Sequence, residues 1–191
     1  MISGAVREEL ITRYSEPHRR YHTMTHIEDC LAQVAASTDF SDKQRSLMEA
    51  AIWFHDAIYD PTQPDNEAQS AKLAIEQLSS AGFEPAFIDE VSRLILLTAG
   101  HSVEPHDTLG ARLVSIDLSI LGASTERYVA YADAIRHEYS HVPEPLYRAG
   151  RAAILGRFLQ ETRLFADPLW AERFETQARA NLTREIASLT A

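Results

Sequence analysis

Residues 51–61 read AIWFHDAIYDP, and the reading of this run decides the fold. Ala51, Ile52, Trp53, Phe54, Ala57, Ile58 and Tyr59 put apolar side chains on nearly every side of any helix drawn through it, the mark of a buried helix. An ionised aspartate inside such a helix is costly unless a cation or several donors compensate it. Adjacent helical residues project about 100° apart. His55 and Asp56 could therefore serve one ligand only where two helix faces meet a cleft. The plainer alternative is a buried helix whose histidine and aspartate hydrogen-bond to its neighbours.

Helical periodicity extends outward in both directions. Ser41 and Gln44 match a capping box, followed at helical spacing by Leu47, Met48, Ala51, Ile52 and His55. Asp65 or Asn66 is placed to cap the next helix, whose stripe Ala71, Ala74, Ile75 and Leu78 ends near Gly82. Pro85 suits a first helical position, and Ile88, Val91, Leu94, Ile95 and Thr98 run on towards Gly100. Further helices are predicted from about Thr108 to Leu121, from Ser124 or Thr125 to a stop before VPEP (residues 142–145), from about Leu146 to Leu164, and from about Pro168 to Leu189 behind an Asp167 cap. No segment alternates as a strand would, and no repeat or composition break marks a second domain. The expectation is one all-α domain over 1–191, a helical bundle with its chemistry within about 18–122 and C-terminal helices from about 124 onwards.

Bulk properties narrow the function. At 191 residues the chain is long enough for a substantial core. A formal charge of −10 offers no basic surface for a phosphate backbone, so a nucleic-acid partner is not expected; a small anionic substrate still is allowed. Cys30 is the only cysteine, so no internal disulfide is possible and a reducing, cytoplasmic setting is expected. The N-terminal residues lack the apolar run of a signal peptide, and no stretch is long enough to span a membrane.

Two further segments carry chemistry. In YHTMTHIEDCLAQV (21–34), His22 and His26 are one turn apart if both are helical. Thr25 and Glu28 alternatively read as a capping box, leaving His26 at the first helical position and His22 in the loop before it. In ARLVSIDLSILG (111–122), Asp117 stands between Ile116 and Leu118 in a helix apolar on most faces, a poor place for a solvated carboxylate. Two histidines and two aspartates make a mixed nitrogen and oxygen set suited to Mn, Fe, Co, Ni or Zn, and more weakly to Mg.

The order His26, then His55-Asp56, then Asp117 resembles the H…HD…D pattern of the His-Asp (HD) superfamily of metal-dependent phosphohydrolases, in particular its short stand-alone bacterial members. The resemblance covers roughly 18–122. It implies an all-helical fold with one divalent cation per chain held by His26, His55, Asp56 and Asp117, and hydrolysis of a small phosphorylated metabolite, with nucleotides first among the candidates. YHTMTH, DNEAQSA and YRAGRAAIL also match that group. Some branches follow the HD with an acidic pair; here Tyr59-Asp60 supplies only the second acid.

The remaining candidates each have a structural alternative. Asp60 is read one turn beyond Asp56 as a general base or water-orienting residue, or as the residue ending its helix before Pro61. Glu67 is a second candidate base, or a first-turn acid favoured by the helix dipole. His22 and His101 are candidate substrate ligands. His101 could instead complete a second metal site or simply favour a helix C-terminus, and His106 follows it more closely than a two-metal arrangement leads one to expect. Arg20, with Arg19, and Arg151, with Arg148, could clamp phosphate, Lys72 being a point-charge alternative; all could equally be surface ion pairs. Tyr128, Tyr131, Tyr139 and Tyr147 read as core or as a base-stacking platform. Two other functions remain open at this level, a di-iron oxygenase on the same scaffold and a non-catalytic ligand-binding module. A homo-oligomer is also possible.

Overall fold

The computed structural model describes residues 2–191, and among these the chain is all-α with no strand. Nine α-helices follow one another: α1 (Gly4–Tyr14), α2 (Met24–Ala36), α3 (Asp42–Phe54), α4 (Asn66–Ser80), α5 (Pro85–Leu97), α6 (Thr108–Asp117), α7 (Thr125–Glu138), α8 (Glu144–Gln160) and α9 (Pro168–Thr190), with a 3-10 segment, Leu118–Gly122, after α6. No helix among the described residues is long and apolar enough to cross a membrane.

Local signals set most of the boundaries. The Ser41 hydroxyl accepts from the Gln44 N–H while the Gln44 side chain accepts from the Ser41 N–H, so the capping box forms. Asp167 accepts from the N–H groups of Leu169 and Trp170 and opens α9. Past the end of α4, Gly82 takes φ of 77°. Its N–H bonds the Ser79 carbonyl and that of Phe83 bonds the Leu78 carbonyl, the left-handed closure that favours glycine.

Several helices differ from the periodicity. Helix α1 is additional, capped by Ser3, with only Leu10 and Tyr14 buried along it. Helix α6 stops at Asp117 and tightens into the 3-10 segment. Helix α8 begins two residues earlier than Leu146 and stops at Gln160. Helix α3 stops at Phe54 with His55 as its C-cap, so the His-Asp pair lies at a helix end and not within a helix.

The helices group into two compact units, one ending at Leu113 and the other running from Val114 to Ala191; the division falls inside α6, which is continuous through it. In the first unit α3 packs on α2, α4 and α5, and α4 lies along α5, burying Leu10, Tyr14, Ile27, Val34, Met48, Ile52, Phe54, Leu78, Val91 and Ile95. In the second, α9 packs against α8 and the 3-10 segment and buries Leu155, Phe165, Ala178 and Leu182. Tyr128, whose hydroxyl donates to Glu185, and Tyr147 are buried there too, so these two tyrosines are core residues.

Candidate metal centre

The centre begins with the way α3 ends. A helix terminus leaves its last carbonyls without partners along the chain, and here other segments supply donors one by one. The Tyr14 hydroxyl donates to the Trp53 carbonyl at 3.0 Å, and the Ala57 N–H to that of Phe54. Arg19 donates to the Asp56 and Ala57 carbonyls at 2.7 and 3.1 Å. Ser70 donates to the Ile58 carbonyl and accepts from the Ile58 N–H. His18 Nε2 lies 2.7 Å from the Tyr59 carbonyl. With its backbone satisfied this way, the chain can leave the helix at residues 55–59 while buried.

His26 comes from α2. Thr23, not Thr25, is the N-cap, so the helix starts at Met24 with His26 in its first turn and His22 in the loop before it. His22 is half-buried, with its ring stacked on Tyr59 at a centroid distance of 4.2 Å.

His55 Nδ1 lies 2.9 Å from the Ile52 carbonyl. A carbonyl only accepts, so Nδ1 carries the hydrogen and the neutral ring has its lone pair on Nε2. That Nε2 is 3.2 Å from His26 Nε2 and 3.0 Å from Asp56 Oδ2, while Asp56 Oδ2 is 3.6 Å from His26 Nε2. Both rings are almost fully buried, and the Asp56 side chain is 16% exposed. Burial pushes the Asp56 carboxyl up, but positive charge on the neighbouring His55, with the hydrogen bond that only a protonated Nε2 donates, and on His22 and His26 pulls it well below the usual carboxylate range. Electron pairs that converge this closely repel unless a positive species sits among them. A proton on His55 Nε2 or a metal cation meets that need.

Asp117 is the last residue of α6. His26 and His55 each offer a buried ring nitrogen that could hold a metal ion.

The other candidates lie elsewhere or are engaged. Asp60 is exposed in the turn after α3, not one helical turn beyond Asp56, and its carboxylate accepts from the N–H and hydroxyl of Thr62. The segment leaves the helix before Asp60, which is why the helical spacing does not apply. Glu67 is half-buried in the first turn of α4. His101 follows α5 in the left-handed region at φ 52°, its N–H on the Leu97 carbonyl. Arg20 donates to the carbonyls of Pro17 and Arg19. Arg151 forms an ion pair with Glu185, both nearly buried, and Arg148 donates to the Ser188 and Leu189 carbonyls at the end of α9, so this arginine pair grips α9. Lys72 is exposed.

Two residues that sequence reasoning passed over matter at the centre. The Tyr21 hydroxyl is 3.0 Å from His26 Nδ1. Arg19, read as a phosphate clamp or a surface ion pair, is 2% exposed and bonded to protein groups. Its place two residues ahead of YHTMTH (21–26) was the only signal the sequence offered.

Compared with known proteins, the chain matches no family model, no curated protein and no solved structure.

Proposed function

We propose that this protein is a metal-dependent phosphohydrolase of HD type, acting on a small phosphorylated metabolite, with nucleotides the first class to test. The observation that carries the reading is the meeting of His26 Nε2, His55 Nε2 and Asp56 Oδ2 within 3.6 Å of one another, with the His55 proton committed to the opposite nitrogen. Metal-ligating histidines commonly have their second nitrogen fixed by a hydrogen bond of this kind. His26, His55, Asp56 and Asp117 would hold one divalent cation, drawn from Mn, Fe, Co, Ni, Zn or Mg. Such an ion polarises a phosphoryl oxygen and lowers the pKa of a bound water.

The chain's own residues have separate tasks in this reading. The Ile52 carbonyl keeps the His55 lone pair on Nε2, and the Tyr21 hydroxyl can do the same for His26 from Nδ1. Asp56, held anionic, offsets the ion's charge. His22 offers its half-buried ring edge as a donor for a phosphate oxygen, its plane braced by Tyr59.

The test is phosphate release from a broad panel of nucleotides and phosphate esters. Metal-stripped protein is reloaded with Mn²⁺, Co²⁺ or Mg²⁺, with Asp56→Ala as the control. Turnover that needs both the metal and Asp56 is expected; no turnover of any panel member by metal-loaded protein removes the reading.

A further inference from the structure

We propose that Arg19 is the positioning residue of the metal centre, the group that holds the two ligand-bearing segments of the first unit in register. This inference rests on the metal reading above.

Its side chain lies between two segments distant in sequence. Nε donates to Glu16 at 3.0 Å. One terminal nitrogen donates both to the His22 carbonyl, in the loop leading into α2, and to the Asp56 carbonyl, in the turn after α3, at 3.1 and 2.7 Å. The other donates to the Ala57 carbonyl at 3.1 Å. The same atom therefore bonds the backbone of Asp56 and the backbone just ahead of the helix that carries His26. The guanidinium carbon also lies over the rings of Tyr14 and Tyr59, 5.2 and 5.4 Å from their centroids.

A bare guanidinium in the interior is costly unless its donors are met. Here four bonds and two aromatic faces meet them, and the positive charge lies beside backbone carbonyls at the end of α3, where a cation is favoured. A planar fork can reach carbonyls on two segments at once; an ammonium on a flexible stem cannot hold the same directions. The neighbouring His18 bonds the Tyr59 carbonyl, so residues 18–22 are fastened along residues 56–59, with Arg19 as the central clasp. The Asp56 carboxylate and the His26 imidazole are thus aimed from a frame that Arg19 ties together, although Arg19 itself touches no ligand atom.

The experiment measures Co²⁺ affinity by equilibrium dialysis and the visible Co²⁺ spectrum on the full chain, with the melting temperature of the metal-free protein taken alongside. Arg19→Lys is compared with Arg45→Lys, a second guanidinium that bonds carbonyls at a helix end, those of Val34 and Ser37, away from the centre. Arg19→Lys should bind Co²⁺ about tenfold or more weakly, the scale on which contacts behind metal ligands act, and its spectrum should change. Arg45→Lys should keep the wild-type affinity and spectrum even where its melting temperature falls as far. Wild-type affinity in Arg19→Lys overturns the proposal, as does an equal loss in Arg45→Lys. Wild-type protein that takes up no Co²⁺ overturns the metal reading and this inference with it, a result distinct from the other two. If Arg19→Lys does not fold, Glu16→Ala decides: freeing Arg19 Nε should weaken Co²⁺ binding at little cost in melting temperature, and unchanged binding overturns the proposal.

Discussion

His55 donates from Nδ1 to the carbonyl of Ile52 at 2.9 Å, and that bond settles which ring nitrogen faces His26 and Asp56. Ile52 is three residues back, so the capping histidine closes the end of its own helix with one nitrogen and presents the other to the centre. A residue that looks out of place in an apolar run is therefore the residue that ends the helix.

Removing a proposed ligand should act on metal binding far more than on folding. His55→Ala and Asp56→Ala are each expected to lower Co²⁺ affinity by at least about 100-fold, the upper end of what second-sphere changes cost. Calorimetric titration of metal-stripped protein reads this directly, and ordinary affinity in either variant contradicts the ligand assignment.

Tyr14→Phe should destabilise the first unit. The Tyr14 hydroxyl is the donor to the Trp53 carbonyl, and both groups are buried. Its loss leaves an acceptor without that partner at a cost of about 1–3 kcal/mol. Urea denaturation should show a lower midpoint with an unchanged slope. Burial, with Asp56 nearby, also raises the Tyr14 phenol well above its ordinary value, so the hydroxyl stays a donor through neutral and mildly alkaline pH.

Asp107 sets an acid limb in the stability profile. Burial raises its carboxyl, but the hydrogen bonds from Arg93 and from the Gly110 N–H prevail and lower it. A carboxyl whose folded pKa lies below its unfolded value of about 4 contributes stability above that unfolded value and loses it as pH falls through the folded one. Asp107→Asn should therefore be less stable at pH 7 and flatten the decline below about pH 4. Denaturant midpoints at several pH values check the slope; parallel profiles for the two proteins would speak against it.

Glycines of the second unit should respond in opposite directions. A Cβ on Gly122 would lie 2.6 Å from Phe174 Cβ and 2.8 Å from the Phe174 carbonyl oxygen, so Gly122→Ala should cost about 1–3 kcal/mol by overpacking. Gly150 and Gly156, inside α8, have open space at the same position. Alanine there should stabilise by roughly 0.5–1 kcal/mol each, because glycine loses more backbone freedom on entering a helix. Thermal melts of the three variants should separate in sign.

The residues differ in how far they could be read without coordinates. Ser41 with Gln44, Gly82 and Asp167 mark helix ends through bonds reaching at most five positions along the chain, Pro85 marks one by its fixed φ, and the structure follows them. Helix α1 gave little sign of itself because it buries only Leu10 and Tyr14, too few for a stripe. The end of α3 carries no stop signal of its own: Pro61 comes seven residues after Phe54, and the side chains bonded to carbonyls from Trp53 to Tyr59 are Tyr14, His18, Arg19 and Ser70. Asp60 was misplaced for that reason, its expected face belonging to a helix that had already stopped. Arg19 read as a phosphate clamp or a surface ion pair because charge and length are all a sequence shows of an arginine.

The helical class and the identities of His26, His55, Asp56 and Asp117 as candidate ligands were therefore determined by the sequence alone, since periodicity and residue type are properties of a few neighbouring positions. Only the tertiary structure decided that His26 and His55, 29 residues apart, meet through Nε2 at 3.2 Å, and that Arg19 ties their supports together. Those outcomes depend on where the helices end and on which buried donors reach the carbonyls left over, and both are set by packing between segments distant along the chain.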